Sequence, residues 1–564
     1  MSERNPVLPI ERRPNGERPV ALILVHGMGQ QVPYGVLDDG YRLLKKEAMR
    51  RGGDVFLEHE AHHTQGGQTV SCAELRVHLP GADRRVHLYE AYWAPLTEGR
   101  ISTWETFRFL LASAIRCTWE SARRGFTRFM FDRPCPFPVR PTTLAGLALA
   151  ASALAALWVF DSTFVAVAVS GILAGAEPHW LSPALRLGYI HDFTLVLAVL
   201  VATAVLGVGI PASLARLRGD VRWKKPLHVV SSAGDWIARA GVLLVAVLGA
   251  RLGLRSLLEA APGLNRVFYP VFDLLERALP PLSRLHLGGF HFPELASTSR
   301  AGILLIGVAV LAISAVVRWF VRTYLGDVAI YVSSHTVNRF YAARAEIKAA
   351  AAAVGSFVYG RKDARGGGFY GDVVVMGHSL GSVIAYDLLN RVICDDRDAG
   401  TGTDAAARTR ALITYGSPLD KTAFVFRAQQ NQDIRVREAM SASVQPLISD
   451  PATRMLHWIN VHSRFDWIGG ALDYYDLPEA CGPRECRPNA NGTRVRPVLN
   501  LEDDAALTPI LAHGEHDRGT LLPGLVMDAV LARLDRHPRV IEADAAHPAY
   551  LVLPEPDLDE AATA

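Results

Sequence analysis

The sequence is short of the features that mark secreted, zinc-binding or nucleic-acid-binding proteins. Its six cysteines, Cys72, Cys117, Cys135, Cys394, Cys481 and Cys486, show neither the CxxC pairing of a zinc site nor the density of a disulfide scaffold. They read as free thiols of a reducing compartment, with Cys481 and Cys486 near enough in sequence to pair or to share a metal with a third ligand. Charge is scarce and balanced: Lys+Arg 59 against Asp+Glu 56 leaves +3, so the basic field that nucleic-acid binding needs is missing. The opening MSERNPVLPIERRPNGERPV has no apolar core segment, which excludes a secretory signal and keeps the N-terminus on the cytoplasmic side. No internal repeat is visible.

What the chain does have is apolar sequence. A composition 50% hydrophobic and 20% charged is too apolar for an ordinary soluble enzyme and too polar for a bundle lying wholly in lipid, so a soluble part joined to a membrane part is expected. Four runs, 143–160, 193–210, 240–257 and 301–317, reach or approach the length that crosses a hydrocarbon core about 30 Å thick. Arg251 and Arg255 interrupt the third. A fifth run, Thr163–Ala176, is 14 residues long and reads as re-entrant, interfacial or packed against the bundle. Arg123, Arg124, Arg128, Arg133 and Arg140 precede the first run, Arg216, Arg218, Arg222, Lys224 and Lys225 follow the second, and Arg318 and Arg322 follow the fourth. By the positive-inside rule Asp161–Asp192, with only Arg186 as a permanent cation, and Leu258–Arg300, mixed in sign, are the outer loops, and both termini face the cytoplasm.

The flanking segments read as α/β. Val20–Val25 is a buried strand running into a glycine turn, Tyr34–Arg51 a helix, and Val86–Trp93 a second strand. Trp104–Phe131 has helical spacing and many aromatics and arginines; it reads either as a helix lying along a membrane surface or as a core helix of the soluble part. After the apolar runs come a helix over Gly326–Ser356 and strands at Asp372–Met376, Ala411–Tyr415 and His457–His462. Strands alternating with helices imply a doubly wound, mostly parallel sheet.

The strongest chemical signal is Gly377-His378-Ser379-Leu380-Gly381, set between the strand Asp372–Met376 and the helical run Ser382–Asn390. A serine on a sharp strand-to-helix turn needs small neighbours, and the glycines stand where that turn needs them. Its hydroxyl needs a base, and the base an orienting acid, in the chain order Ser, acid, His. For the acid, Asp466 lies just beyond the strand His457–His462, with Asp473, Asp476 and Asp420 as alternatives. The base is His513 or His516 in Ala512-His513-Gly514-Glu515-His516. His513 is preferred, which leaves His516 as a surface residue. His457 and His462 lie in a strand ahead of the acid. Two backbone donors for an oxyanion come from Leu380 and from Met28 in the turn His26-Gly27-Met28-Gly29, where His26 reads as structural.

Together HGMG, GHSLGSVIAYD, TYGSPLDK, NVHSRFDWIGGALD and AHGEH resemble the α/β-hydrolase lipases and esterases, and GHSLGSVIAYD is similar to the DDHD-type intracellular phospholipases. Where such lipases often have Asp-Pro, this chain has Asp466-Trp467. The resemblance covers about Pro19–Trp93 and Gly326–Leu534 and implies an α/β-hydrolase domain; with the apolar runs, which it does not reach, the chain divides into a tail at 1–19, domain parts at 20–131 and 326–553, a helical transmembrane insert at 132–325 and an acidic tail at 554–564. The resemblance also implies acyl-ester cleavage, with a lipid or other hydrophobic ester as substrate and no metal or organic cofactor. An acyltransferase or thioesterase using the same site, or an inactive membrane scaffold, are the alternatives.

Overall fold

A computed structural model describes residues 18–29, 31–65, 68–123, 126–130, 133–137, 141–173, 183–217, 224–260, 263, 265–278, 300–320, 326–332, 339–428, 435–450, 454, 456–475 and 496–546. Ten strands are present among them: β1 (Val20–Val25), β2 (Asp54–Gln65), β3 (Gln68–Leu79), β4 (Ala82–Ala91), β5 (Phe126–Met130), β6 (Arg133–Phe137), β7 (Asp372–His378), β8 (Thr409–Tyr415), β9 (His457–His462) and β10 (Val498–Glu502). Eight form one sheet in the order β10-β9-β8-β7-β1-β4-β3-β2. From β10 to β4 every neighbour is parallel, and β3 and β2 close the edge antiparallel.

β1 explains why the sheet is covered on both faces. Its side chains alternate sides, and all six are buried, as a central parallel strand requires. Ala21, Ile23 and Val25 join a core with the helices Arg339–Gly360, Leu380–Ala399 and Leu419–Ala428. Val20, Leu22 and Leu24 join another with the helices Gly35–Arg50, Leu521–Val530 and Pro538–Ala546. β1 also pairs with β7 across the whole helical segment, Val20 opposite Asp372 and Val25 opposite Gly377.

The helical segment departs from expectation in several places. Thr143–Phe160 and most of Thr163–Ala176 form one unbroken helix, Pro141–Leu173. The polar pair Asp161-Ser162 does not stop it, because neither residue is a helix breaker and Asp161 accepts from Ser314 and pairs with Arg318. The expected outer loop Asp161–Asp192 is therefore helical at both ends, as Pro183–Ala202 opens the next helix. That helix continues through a π-helical turn, Thr203–Gly209, into Ile210–Leu217. Leu258–Arg300 likewise contains a helix, Asn265–Ala278.

Arg251 and Arg255 do not interrupt the helix Lys224–Ala260. Arg251 is buried against Asp192, and Arg255 bridges Asp192 and Glu276, so each cation is paired rather than left bare. Among the described residues two helices, Thr194–Arg216 and Pro226–Leu258, are long and apolar enough by length and composition to cross a membrane. The fourth expected run lies in the helix Arg300–Phe320.

The expected helix over Trp104–Phe131 ends at Arg123, and the chain turns into the hairpin β5–β6. Pro134 and Pro136 in β6 exclude a helix there. Within and beyond Gly326–Ser356 the described residues form the helices Gly326–Val332 and Arg339–Gly360. Arg124, Arg140, Arg218, Arg222, Arg322, Asp476, Cys481, Cys486 and the tail 554–564 lie outside the described residues, as do the side chains of Cys135, Arg123, Arg128, Arg133, Lys224 and Lys225. Cys72, Cys117 and Cys394 are buried.

Candidate active site

The parallel strands β7, β1, β8 and β9 end on one edge of the sheet, and the predicted site residues gather there. β7 stops at His378, the helix Leu380–Ala399 starts at Leu380, and Ser379 makes the whole turn between them at φ 53°, ψ −129°. A non-glycine residue in that region is strained by about 1–3 kcal/mol. Burial of Leu380, Val383 and Ile384 beside it, at about 1.5–3 kcal/mol per side chain, more than offsets the strain. The Ser379 N–H donates to the Tyr415 carbonyl at 3.0 Å, which ties the turn to β8.

Gly377 and Gly381 are there for space, not for backbone sign. A Cβ on Gly377 would lie 2.6 Å from the Gly381 carbonyl oxygen, and one on Gly381 would lie 2.3 Å and 2.4 Å from the carbonyl oxygens of His26 and Val25. Backbone cannot yield as a side chain can. Gly381→Ala is therefore expected to lower unfolding free energy by about 1–3 kcal/mol or more, read as a lower unfolding midpoint of the purified chain. An unchanged midpoint would contradict the close approach.

Ser379 Oγ lies 2.8 Å from His513 Nε2, and His513 Nδ1 lies 2.9 Å from Asp466 Oδ2. Because a carboxylate can only accept, Nδ1–H is the donor, which leaves Nε2 free to accept the serine proton. Asp466 is buried, and its other oxygen accepts from the N–H groups of Ile468 (2.7 Å) and Gly469 (2.8 Å). Burial alone would raise its pKa; the hydrogen bond from His513, the His516 ring and the Gly469 N–H outweigh that and hold it well below the usual carboxylate range. It is thus a fixed anion, not a solvated loop aspartate.

Several neighbours hold these groups in place. His378 Nε2 donates to the His513 carbonyl at 2.9 Å and stacks on Tyr415; burial lowers its pKa to about 3, so it stays neutral. Lys421 donates to the carbonyls of Trp467, Ile468 and Gly469 at 2.9, 2.7 and 2.9 Å, clamping the acid's loop. Its only sequence signal is its place in TYGSPLDK. His26 donates from Nδ1 to the Gly27 carbonyl and accepts the Trp93 N–H at Nε2, so both nitrogens brace the turn, as a structural residue would.

The glycine turn after β1 reaches the serine. A Cβ on Gly27 would lie 3.0 Å from Ser379 Cβ, and Met28 follows directly, buried. The Gly29 N–H is taken at 2.9 Å by Asp327, from the helix Gly326–Val332, a partner that no sequence pattern announced. Leu380 opens its helix, so its N–H precedes the first intrahelical acceptor.

Two expectations need correcting or narrowing. His516 is not a surface residue: it is 1% exposed, with Nδ1 3.1 Å from Asp503 Oδ2. The reason is that Asp503, at the exit of β10, gives the ring a buried anionic partner. Of the alternative acids, Asp420 accepts the Tyr474 N–H and Asp473 opens the turn Asp473–Tyr475, whereas Asp466 alone is hydrogen-bonded to His513 among the described residues.

The helix Lys224–Ala260 also meets this site. Trp467, next to the acid, donates from its indole to Asp235 at 2.7 Å and lies under Arg239, which itself pairs with Asp235 at 2.7 Å. His228 packs on Phe465, and Leu227 on the cluster Phe465, Ala506, Leu507 and Ala512.

Away from this edge, Cys72, Glu74 and His87 bring ligand atoms within 4.8 Å of one another. Their surroundings suit a hydrogen-bonded core better than a cation. His87 meets the Tyr370 hydroxyl at 3.0 Å, Arg361 donates to Tyr89 and Tyr370 at 3.2 and 3.1 Å, and burial pushes the Cys72 thiol up to about 12. The guanidinium already supplies the positive charge that a metal would bring. In comparisons with known proteins, no family model, no curated protein and no solved structure matches this chain.

Proposed function

We propose that the chain is a membrane-bound serine ester hydrolase of the α/β-hydrolase type, acting on lipid acyl esters. The observation that carries the reading is the unbroken chain Asp466–His513–Ser379, at 2.9 and 2.8 Å, on a strained strand-to-helix turn. In the proposed reaction His513 Nε2 takes the Ser379 proton as Oγ attacks the ester carbonyl, and the oxyanion is held by the N–H groups of Leu380 and Met28. Collapse breaks the acyl C–O bond, and His513 returns the proton to the leaving alcohol. Water, deprotonated by the same ring, then attacks the acyl carbon; the bond to Ser379 Oγ breaks, His513 returns the proton to Oγ, and the acid leaves. Asp466 stays ionised throughout and compensates the imidazolium.

The membrane part of the proposal is a multi-pass insert between β6 and the helix Gly326–Val332, with the catalytic part on the cytoplasmic side. It is supported by the two apolar helices and by the contact of the helix Lys224–Ala260 with Phe465 and Trp467. A helix that both enters lipid and touches the acid's loop keeps the site near the headgroups.

Membranes holding the full chain should react with a fluorophosphonate probe, and the purified chain should cleave long-chain phospholipid esters in bilayers with a higher kcat/KM than short water-soluble esters. Failure to label would remove the hydrolase reading. Labelling with equal or better turnover of short soluble esters would leave an esterase for which the helices are only an anchor.

A further inference from the structure

His516 is the buried titratable group at this edge that the proposed mechanism does not use. Its ring lies between two carboxylates: Nδ1 is 3.1 Å from Asp503 Oδ2, and Nε2 is 3.8 Å from Asp466 Oδ2, the same oxygen that His513 Nδ1 approaches at 2.9 Å. The second separation is within ion-pair range but beyond a hydrogen bond. His516 Nε2 is buried and has no hydrogen-bond partner among the described residues. A neutral ring would have to turn one bare lone pair toward an anion; only the doubly protonated ring presents N–H to both.

We propose that His516 is a positioning residue of this site, a buried imidazolium anchored by Asp503 that shares Asp466 Oδ2 with His513 and limits how strongly Asp466 favours protonated His513. The inference rests on the hydrolase reading of Ser379, His513 and Asp466.

The other groups around the ring do not supply that charge. Tyr415 meets it edge-on from β8 at 6.2 Å, and His378, on the nucleophile turn, is held neutral. On its own turn Glu515 is engaged by Arg518 and the Thr508 N–H. Burial by itself would lower the pKa of His516, but Asp466 and Asp503 outweigh it and raise it to about 9. The cation is therefore retained at neutral pH. Two effects follow for His513: Asp466 divides its negative charge between two rings, and a second cation on His513 is disfavoured.

The test uses the full chain in detergent micelles with 15N-labelled histidine, comparing wild type, His516→Gln and Asp503→Asn. In wild type the His516 ring should carry both protons at pH 7.5. In Asp503→Asn the His516 ring should lose its second proton at a lower pH than in wild type, because one of its two anions is gone. In either variant fluorophosphonate labelling should be slower than wild type at acid pH and converge with it at alkaline pH. Asp503→Asn leaves the imidazole and Asp466 in place, so it reads the coupling even where His516→Gln unfolds. A neutral His516 ring in wild type, or a labelling pH profile unchanged in both variants, would overturn the proposal. A doubly protonated His516 ring in a chain that never labels would overturn the hydrolase reading and leave the buried imidazolium standing.

Discussion

If the proposed hydrolysis holds, Ser379→Ala is expected to lower kcat by about 10⁶-fold and to abolish fluorophosphonate labelling, with expression and unfolding midpoint close to wild type. The size follows from removing the attacking oxygen while leaving the oxyanion donors, so only the residual rate from binding and the oxyanion site survives. The near-normal fold follows from geometry. The turn is fixed by the Ser379 N–H to the Tyr415 carbonyl and by the two close-packed glycines, none of which involves the side chain. Labelling of the alanine variant at the wild-type rate would show that another nucleophile reacts.

Asp466→Asn is the more instructive replacement, since it keeps shape and removes charge. One oxygen of Asp466 accepts two backbone N–H groups, from Ile468 and Gly469. An asparagine must leave its carbonyl oxygen there, because its NH₂ cannot accept, so the NH₂ is turned toward His513 Nδ1. The ring must then accept at Nδ1 and carry its proton on Nε2, which points a donor at Ser379 Oγ. A base held in the wrong tautomer loses about 10⁴-fold in kcat. The measurement is kcat on a fluorogenic ester together with the unfolding midpoint. A loss below about ten-fold with the fold intact would mean that Asp466 does not set the ring's tautomer.

What could be read in the sequence was local. The strand–Gly-x-Ser-x-Gly–helix order lies within about thirty residues, and the structure brings Ser379, His513 and Asp466 into one hydrogen-bonded chain because the motif, the strand exit and the polar loop each carry their own signal. Features that depend on distant partners were not legible. The burial of His516 depends on Asp503, and nothing in Ala512-His513-Gly514-Glu515-His516 says which ring turns inward. The Trp467–Asp235 contact joins residues 232 apart in sequence. β2 gave no alternating pattern because Phe56 and Leu57 are exposed and the register with β3 shifts between Leu57 and His59. Arg251 and Arg255 looked like interruptions because their partners, Asp192 and Glu276, lie on other helices.

The pairing of β1 with β7 sets a schedule for synthesis. β1, β2, β3 and β4 can assemble as soon as residue 91 has left the ribosome, but the other edge of β1 must wait about 350 residues for Asp372–His378. At about 5–20 residues per second that interval is about 20–70 s. Throughout it the most apolar strand of the sheet, Val20–Val25, has bare N–H and C=O groups on its open edge, the arrangement that invites pairing with another chain. Nascent chains stalled before β7 should therefore be the aggregation-prone species of this protein, and a chaperone that shields strand edges would act on the first hundred residues, well before Ser379 has been made.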